Sequence, residues 1–326
     1  FIQDEWNVTP KLTVVPGIRL DSHSSGEEYA TSVKVSDSAF PSTKFSKTTI
    51  NPRLAVKYEV TPSLILRANI GTGFRAPYGF SEDLHLCSGS PRVWKSSNLK
   101  GERAISYNLS ADYYSKRYQF SINLFRTNLK DKIQFSPADD EVKKFGYSYQ
   151  WENVDDAYVQ GIELGAKASI ARNLTAGVNW TFNQGKFKHE RAEWSDPNDE
   201  SVKEFPQRLK YAKESRYISR FPGMTGDFDI DYTPGTWTFS LTSSLQGSMY
   251  IDYNSEDAGQ NSKIKKTSTF MLFNCRASKR FGMCTVYAGA KNIFSYIQDE
   301  KHTDDAAFMY APVYGATWYI GLSVKL

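Results

Sequence analysis

The chain has 326 residues, a formal net charge of +4 and no long Lys/Arg block, a balance too small for a nucleic-acid footprint. Its mean hydropathy of −0.52 and the lack of any run of about 18 apolar residues exclude a bundle of transmembrane helices. They leave a membrane barrel open, because a barrel strand needs only about 9–11 residues, half of them polar.

Residues 1–8 read as a strand closed by a turn at Thr9-Pro10, and residues 11–21 as its partner, with Leu12, Val14, Pro16, Ile18 and Leu20 on one face. Residues 22–48 read as a long polar loop. A hairpin follows over 49–77. Leu54, Val56, Tyr58 and Val60 alternate with Arg53, Ala55, Lys57 and Glu59; beyond Thr61-Pro62-Ser63, Leu64, Leu66, Ala68 and Ile70 alternate with Ile65, Arg67, Asn69 and Gly71. A period of two with one apolar and one polar face is the strand signature. After a loop over 78–101 the pattern returns in 103–114 and 118–124, and then in 161–170 and 174–182. It continues in 223–232 and in a strand from Trp237 on which Phe239, Leu241, Leu245, Met249 and Ile251 share the apolar face. It ends in 268–278, 284–294 and 317–326.

That makes about thirteen strands with two kinds of connection in alternation: short turns rich in Pro, Gly or Asn, and loops of roughly 15–35 residues. The asymmetry marks an outer-membrane barrel, whose periplasmic turns are short and extracellular loops long; a soluble sandwich or propeller spaces short strands more evenly. The 14% aromatic content, with 20 Tyr and 20 Phe, suits interfacial girdles as well as ordinary cores. The fold class expected is therefore all-β, a transmembrane antiparallel β-barrel. Bacterial single-chain barrels have an even strand count, so an odd thirteen implies that an N-terminal portion lies outside this chain. Cys87, Cys275 and Cys284 make no metal or redox motif, and for Cys275 and Cys284, on adjacent strands, both a disulfide and two unpaired residues stay open. No GxSxG, P-loop or HExxH motif occurs, so nothing points to an enzyme, a cofactor or a metal centre.

The stretch GTGFRAP at 71–77 resembles the TonB-dependent outer-membrane receptors. FIQDEW at 1–6, VVPGIRLD at 14–21, SSNLKGERAISYNLSADYY from Ser96, NVDDAYVQGIELGAKASIARNLTAGVNWTF from Asn153, AGAKNIFSY from Ala288 and the terminal YGATWYIGLSVKL resemble the same family in the right order. Ser96-Ser97 and Lys100-Gly101-Glu102 depart from the family's Asn-Pro and Lys-Pro-Glu. The resemblance implies that residues 1–326 are the C-terminal portion of a single 22-stranded barrel domain, with the plug and first nine strands absent from this chain. It implies a non-enzymatic transporter in the outer membrane of a Gram-negative bacterium. Its expected partners are the TonB complex via that plug, the protein's own N-terminal strands, outer-membrane lipid, and a metal-chelate or similar ligand of iron–siderophore, haem or cobalamin type.

Ligand contacts are expected from the long loops. His85, Arg92 and Trp94 lie in one, and His302 and Tyr310 in the last; Arg and Trp suit an anionic or flat aromatic ligand. Either His has the chemistry of an axial haem ligand, but four His without paired spacing do not favour haem over solvated loop residues. Arg75 reads first as a salt-bridging residue to the plug or a neighbouring loop. Arg67, Glu163 and Lys167, with Arg19, Arg53, Lys57, Glu59 and Lys291, are inward charges facing the plug. From the barrel pattern alone, a passive porin-like channel or a surface-binding barrel are the alternatives.

Overall fold

The computed structural model describes residues 1–28, 42–78, 93–137, 139–147, 149–189, 216–218, 220–250, 266–298 and 310–325. The strands are β1 (Ile2–Gln3), β2 (Trp6–Thr9), β3 (Leu12–Glu27), β4 (Thr43–Thr61), β5 (Leu64–Arg75), β6 (Val93–Lys95), β7 (Glu102–Tyr114) and β8 (Tyr118–Pro137). A single helical turn, α1 (Asp140–Lys143), precedes β9 (Tyr149–Ala171), β10 (Leu174–Phe187), β11 (Met224–Tyr232), β12 (Trp237–Gln246), β13 (Phe270–Phe281), β14 (Cys284–Lys291) and β15 (Thr317–Val324).

All but two of these strands follow one antiparallel path in chain order, and the path has two free ends. β2 continues β1 along the same edge of β3, so the wall is thirteen strands wide. β6 leaves the path and pairs in parallel with the upper end of β9. Six connections of two to four residues close one end: 10–11, 62–63, 115–117, 172–173, 233–236 and 282–283. Gly235 and Gly282 take φ of +63° and +58° there, the left-handed conformation such tight reversals require. All long connections lie at the opposite end.

Register fixes the two faces. Along one row Leu109, Leu124, Ile162 and Phe182 stand side by side, and along the next Ala111, Ile122, Leu164 and Trp180. This face carries large exposed apolar side chains from β3 to β15, from Leu20 (67%) to Ile320 (80%). A soluble monomer rarely exposes apolar patches above a few hundred Å²; lipid is the solvent that fits this surface. Aromatics gather at its short-turn edge, where Tyr113 stacks on Phe120 at 6.3 Å and Trp237 on Phe239 at 5.6 Å. At the opposite edge the outward positions turn polar: Arg126 Nη1 donates to Gln160 Oε1 at 2.7 Å and Gln160 Nε2 to Gln184 Oε1 at 3.1 Å.

Several expectations are corrected. Both ends of the polar stretch 22–48 are strand, since β3 runs to Glu27 and β4 begins at Thr43; residues 29–41 lie outside the described residues. Strands β8 and β9 likewise extend well past the apolar band as a tall two-stranded arm. Met249 does not continue β12, which ends at Gln246, but buries against Phe270 and Tyr310; Ile251 lies outside the described residues. Cys275 stands opposite Ala290 and Cys284 opposite Phe281, an offset of six residues or about 20 Å at ~3.3 Å per residue. That is far beyond disulfide reach, and both cysteines are free. The outward face also carries a charge: Lys279 stands opposite Trp237, its Nζ 4.8 Å from that ring and 5.0 Å from Phe281. Beside the short turns, an aliphatic stem can lie along the band while the ammonium reaches the interface.

Among the described residues, the buried hydrophobic side chains that pack together form three small clusters, all at the long-connection end. The wall itself is a single layer, so its polar concave face has nothing described to pack against.

Candidate ligand-binding rim and luminal wall

The concave face is polar because every second residue points into it, and its charges pair across or along strands. Arg19 Nε donates to Asp21 at 2.7 Å, Lys57 Nζ to Glu59 at 2.6 Å, and Arg67 forms an ion pair with Asp112. Glu163 accepts from Asn123 Nδ2 at 2.8 Å. Lys167 stands in register with Gln119 and Gly177, and Gly177 with Asp229. A Cβ on Gly177 would lie 2.5 Å from the Asp229 carboxylate, so glycine there lets the Asp229 side chain lie across β10 toward Lys167. Arg75 stands opposite Glu102 at the top of β5. Exposed pairs of this kind contribute about 0–1 kcal/mol each; their effect is to give the wall a fixed pattern of charge.

Sequence reading missed part of this pattern. Asp227, Asp229 and Asp231 share the concave face of β11, Asp227 accepting from Asn179 Nδ2 at 3.0 Å and Asp231 from Ser240 Oγ. The signal was the alternation in MTGDFDIDY, whose acidic positions match the inward parity of Thr175, Gly177 and Asn179.

At the rim, the described chain runs from β5 to Tyr78 and resumes at β6. Tyr78, at φ +70°, turns it, and β6 then reaches the far side of β9 before Leu99 and Gly101 return to β7. Tyr78, Leu99, Ile133 and Trp151 pack as one buried cluster under this strap, and Tyr78 Oη donates to the Ser96 carbonyl at 2.8 Å. Asn153 ties the strap to the wall. Its Nδ2 donates to the carbonyls of Lys100 (3.0 Å) and Asp131 (2.7 Å), and its Oδ1 accepts from the Lys100 N–H at 2.8 Å. Trp94, on β6, packs against Val142 and Tyr147, next to α1, which Asp139 caps by accepting from the Val142 N–H at 2.9 Å.

A second rim cluster sits over β11–β13. Met249, Phe270 and Tyr310 are buried together, and Phe270 stacks on Tyr296 at 4.9 Å. Tyr310 borders an open cleft of about 390 Å³ whose other walls include Thr225, Ser244, Gln246, Phe270 and Leu272. Two amides hold the backbone of this last rim segment. Gln298 Oε1 accepts from the N–H groups of Tyr310 (2.9 Å) and Ala311 (3.1 Å). Asn292 Nδ2 donates to the carbonyls of Tyr296 (2.7 Å) and Tyr314 (3.2 Å).

Trp94 and Tyr310 thus occupy separate clusters, while His85, Arg92 and His302 lie outside the described residues. On the tall β8–β9 arm, burial pushes the Asp155 carboxyl up. Hydrogen bonds from the His189 N–H (2.7 Å) and ring, and from the Asp156 N–H (2.7 Å), outweigh it and leave Asp155 below the usual carboxylate range.

Residues 1–293 match the family model of the TonB dependent receptor-like β-barrel. The chain belongs to this family. As a TonB-dependent receptor barrel it is 27% identical over 229 residues to the vitamin B12 transporter BtuB of Photobacterium profundum, covering 69% of this chain and 30% of that protein. It is 26% identical over 202 residues to a ferric enterobactin receptor of Pseudomonas aeruginosa, covering 56% and 24%. Among solved structures, the copper transporter OprC superposes with a TM-score of 0.70 at 18% identity over 98% of this chain and 46% of that one. The unliganded ferric citrate transporter FecA gives 0.66 at 20%, over 96% and 42%. At these identities the structures speak to the fold. The chain spans less than a third of the curated relatives' length, and its strands are those of an outer-membrane barrel.

Proposed function

We propose that residues 1–326 are the C-terminal portion of the single barrel domain of a TonB-dependent outer-membrane receptor. This receptor takes up a scarce nutrient bound at its extracellular rim, and it transports its cargo without transforming it. The observation that carries the reading is the thirteen-strand wall with a lipid-compatible outer face, a charge-patterned inner face and folded rim elements. A plug outside this chain lies against Arg67, Arg75, Glu163 and Lys167 and engages TonB. The cargo is a metal chelate or cobalamin-sized compound, the class named for the relatives. Tyr310 and its 390 Å³ cleft, and Trp94 with Arg92, His85 and His302 on the other loops, are the candidate contacts.

The test is calorimetric titration of the full receptor in detergent with cobalamin, ferric catecholates and haemin, paired with single-channel conductance. Tight binding of one compound, weakened by Tyr310→Ala, supports a receptor with its site at this rim. No binding together with a steady open conductance overturns it in favour of a passive channel.

A further inference from the structure

The wall divides above Gly71. β4 and β5 are paired only up to Arg53 and Gly71. Above that level β4 continues with β3 as a hairpin arm up to Glu27 and Thr43, and β5 continues with β7 up to Arg75 and Glu102. The arm's concave-parity residues lie over the β5 edge: Phe45 stacks on Phe74 at 6.0 Å, His23 lies 4.9 Å from the same ring, and Lys47 Nζ stands 5.6 Å from it. Between arm and wall is a cleft of about 330 Å³ whose charged lining is Lys47, Lys100, Arg103, Lys130 and Asp131. Four cations against one carboxylate leave it at a formal +3.

Folding alone gives no reason for that charge. Arg103 and Lys130 stand directly opposite each other on β7 and β8, and like charges at opposed positions destabilise a sheet. Among the described residues neither has an ion-pair partner; Asp131 pairs with Lys100 at 3.8 Å. The floor is nonetheless rigid. Asn153 fixes the backbones of both Lys100 and Asp131, and a Cβ on Gly101 would lie 2.2 Å from the Phe74 ring, so only glycine lets that ring seat beside the cations.

The position is equally specific. Arg103 and Lys130 have outward parity, and Arg103 stands two residues above Ile105, an exposed apolar residue of the outer band. Two residues rise about 5 Å along the membrane normal at a strand tilt of ~40°, and a headgroup layer is about 5–8 Å thick. Arg103 therefore stands at the level where the outer leaflet presents its polar groups, and the other cations stand beside it on the solvent side.

We propose that this cleft is a phosphate-binding site that holds the phosphorylated headgroup of an outer-leaflet glycolipid. A phosphomonoester carries about −1.5 to −2 at neutral pH and three acceptor oxygens, enough to offset the cleft's charge; the Arg103 fork binds two of those oxygens and the lysines complete the shell. The site is distinct from the cargo cleft at Tyr310 and does not depend on what the receptor imports.

The experiment uses the full receptor in mild detergent. It measures retention of a bis-phosphorylated glycolipid and of its dephosphorylated form by native mass spectrometry, and binding of inorganic phosphate by titration. Arg103→Gln with Lys130→Gln is the test variant. Arg103→Lys with Lys130→Arg is the control that keeps charge and fold, and unchanged heat-modifiable mobility on gels confirms that both are folded. The proposal expects the phosphorylated lipid to be retained at least tenfold better than the dephosphorylated one, phosphate to compete, and retention to fall about tenfold in the Gln variant but less than threefold in the control. Phosphate binding lost in the Gln variant, without lipid preference, upholds the phosphate site and overturns the lipid as its source. Equal behaviour of wild type and Gln variant toward both probes overturns the site.

Discussion

Placing an arginine at Leu164 probes the assignment of faces at its most sensitive point. Leu164 is 42% exposed on the outward face and stands beside Ile122. Ile122 lies midway between Tyr118, at the short turn, and Arg126, where the outer face becomes polar. Those eight residues span about 27 Å along the strand and about 21 Å along the normal at a tilt of ~40°, so Leu164 sits near mid-membrane. A cation there costs about 2–4 kcal/mol, falling to about 0–1 kcal/mol near the interfaces. The luminal neighbour Asn123 touches Glu163 at 2.8 Å, and Asn123→Lys puts a cation beside that carboxylate, with an expected change within about 1 kcal/mol. The assay is reversible urea unfolding of the receptor folded into phosphatidylcholine vesicles. If Leu164→Arg costs no more than Asn123→Lys, the face assignment and the membrane placement built on it are refuted.

The remaining predictions concern the rim and inner wall. Asn153→Ala removes two hydrogen bonds to Lys100 of the strap and one to Asp131 of β8, all exposed or half-buried, at a cost of about 0.5–1.5 kcal/mol each; amide exchange should accelerate at Lys100 and in β6 while β11–β13 stay protected. Asp155 sits below its usual range in the folded state, so its contribution is complete above the unfolded value of about 4 and is lost as pH falls through the lower folded value. Acid should loosen the end of β10 near His189, seen as earlier proteolytic cleavage, and Asp155→Asn should abolish the pH dependence. Gly177→Val forces the Asp229 carboxylate off β10; lower stability in urea, partly restored by Asp229→Ala, is expected, and a neutral effect would show that the close approach is not required.

Much of this protein was legible in the chain because a strand's period of two writes both faces into the sequence. The alternation in 53–70 and 162–182, together with Pro, Gly and Asn at the short turns, determined thirteen strands, their order, and which side meets lipid. The concave-face positions of Arg67, Glu163 and Lys167 followed from the same parity. The tertiary structure decided what periodicity cannot carry. Above the membrane both faces of a strand meet water or folded loops, so β3, β4, β8 and β9 lose their apolar-polar contrast there and read as loop. The crossing of β6 to β9, the burial of Met249 against Phe270, and the 20 Å offset of the two strand cysteines depend on register and long-range pairing, at about 3.3 Å per residue. The meeting of Lys47 with Arg103 and Lys130 likewise needs two strands to separate above Gly71, a contact between residues far apart in the chain that no local pattern encodes.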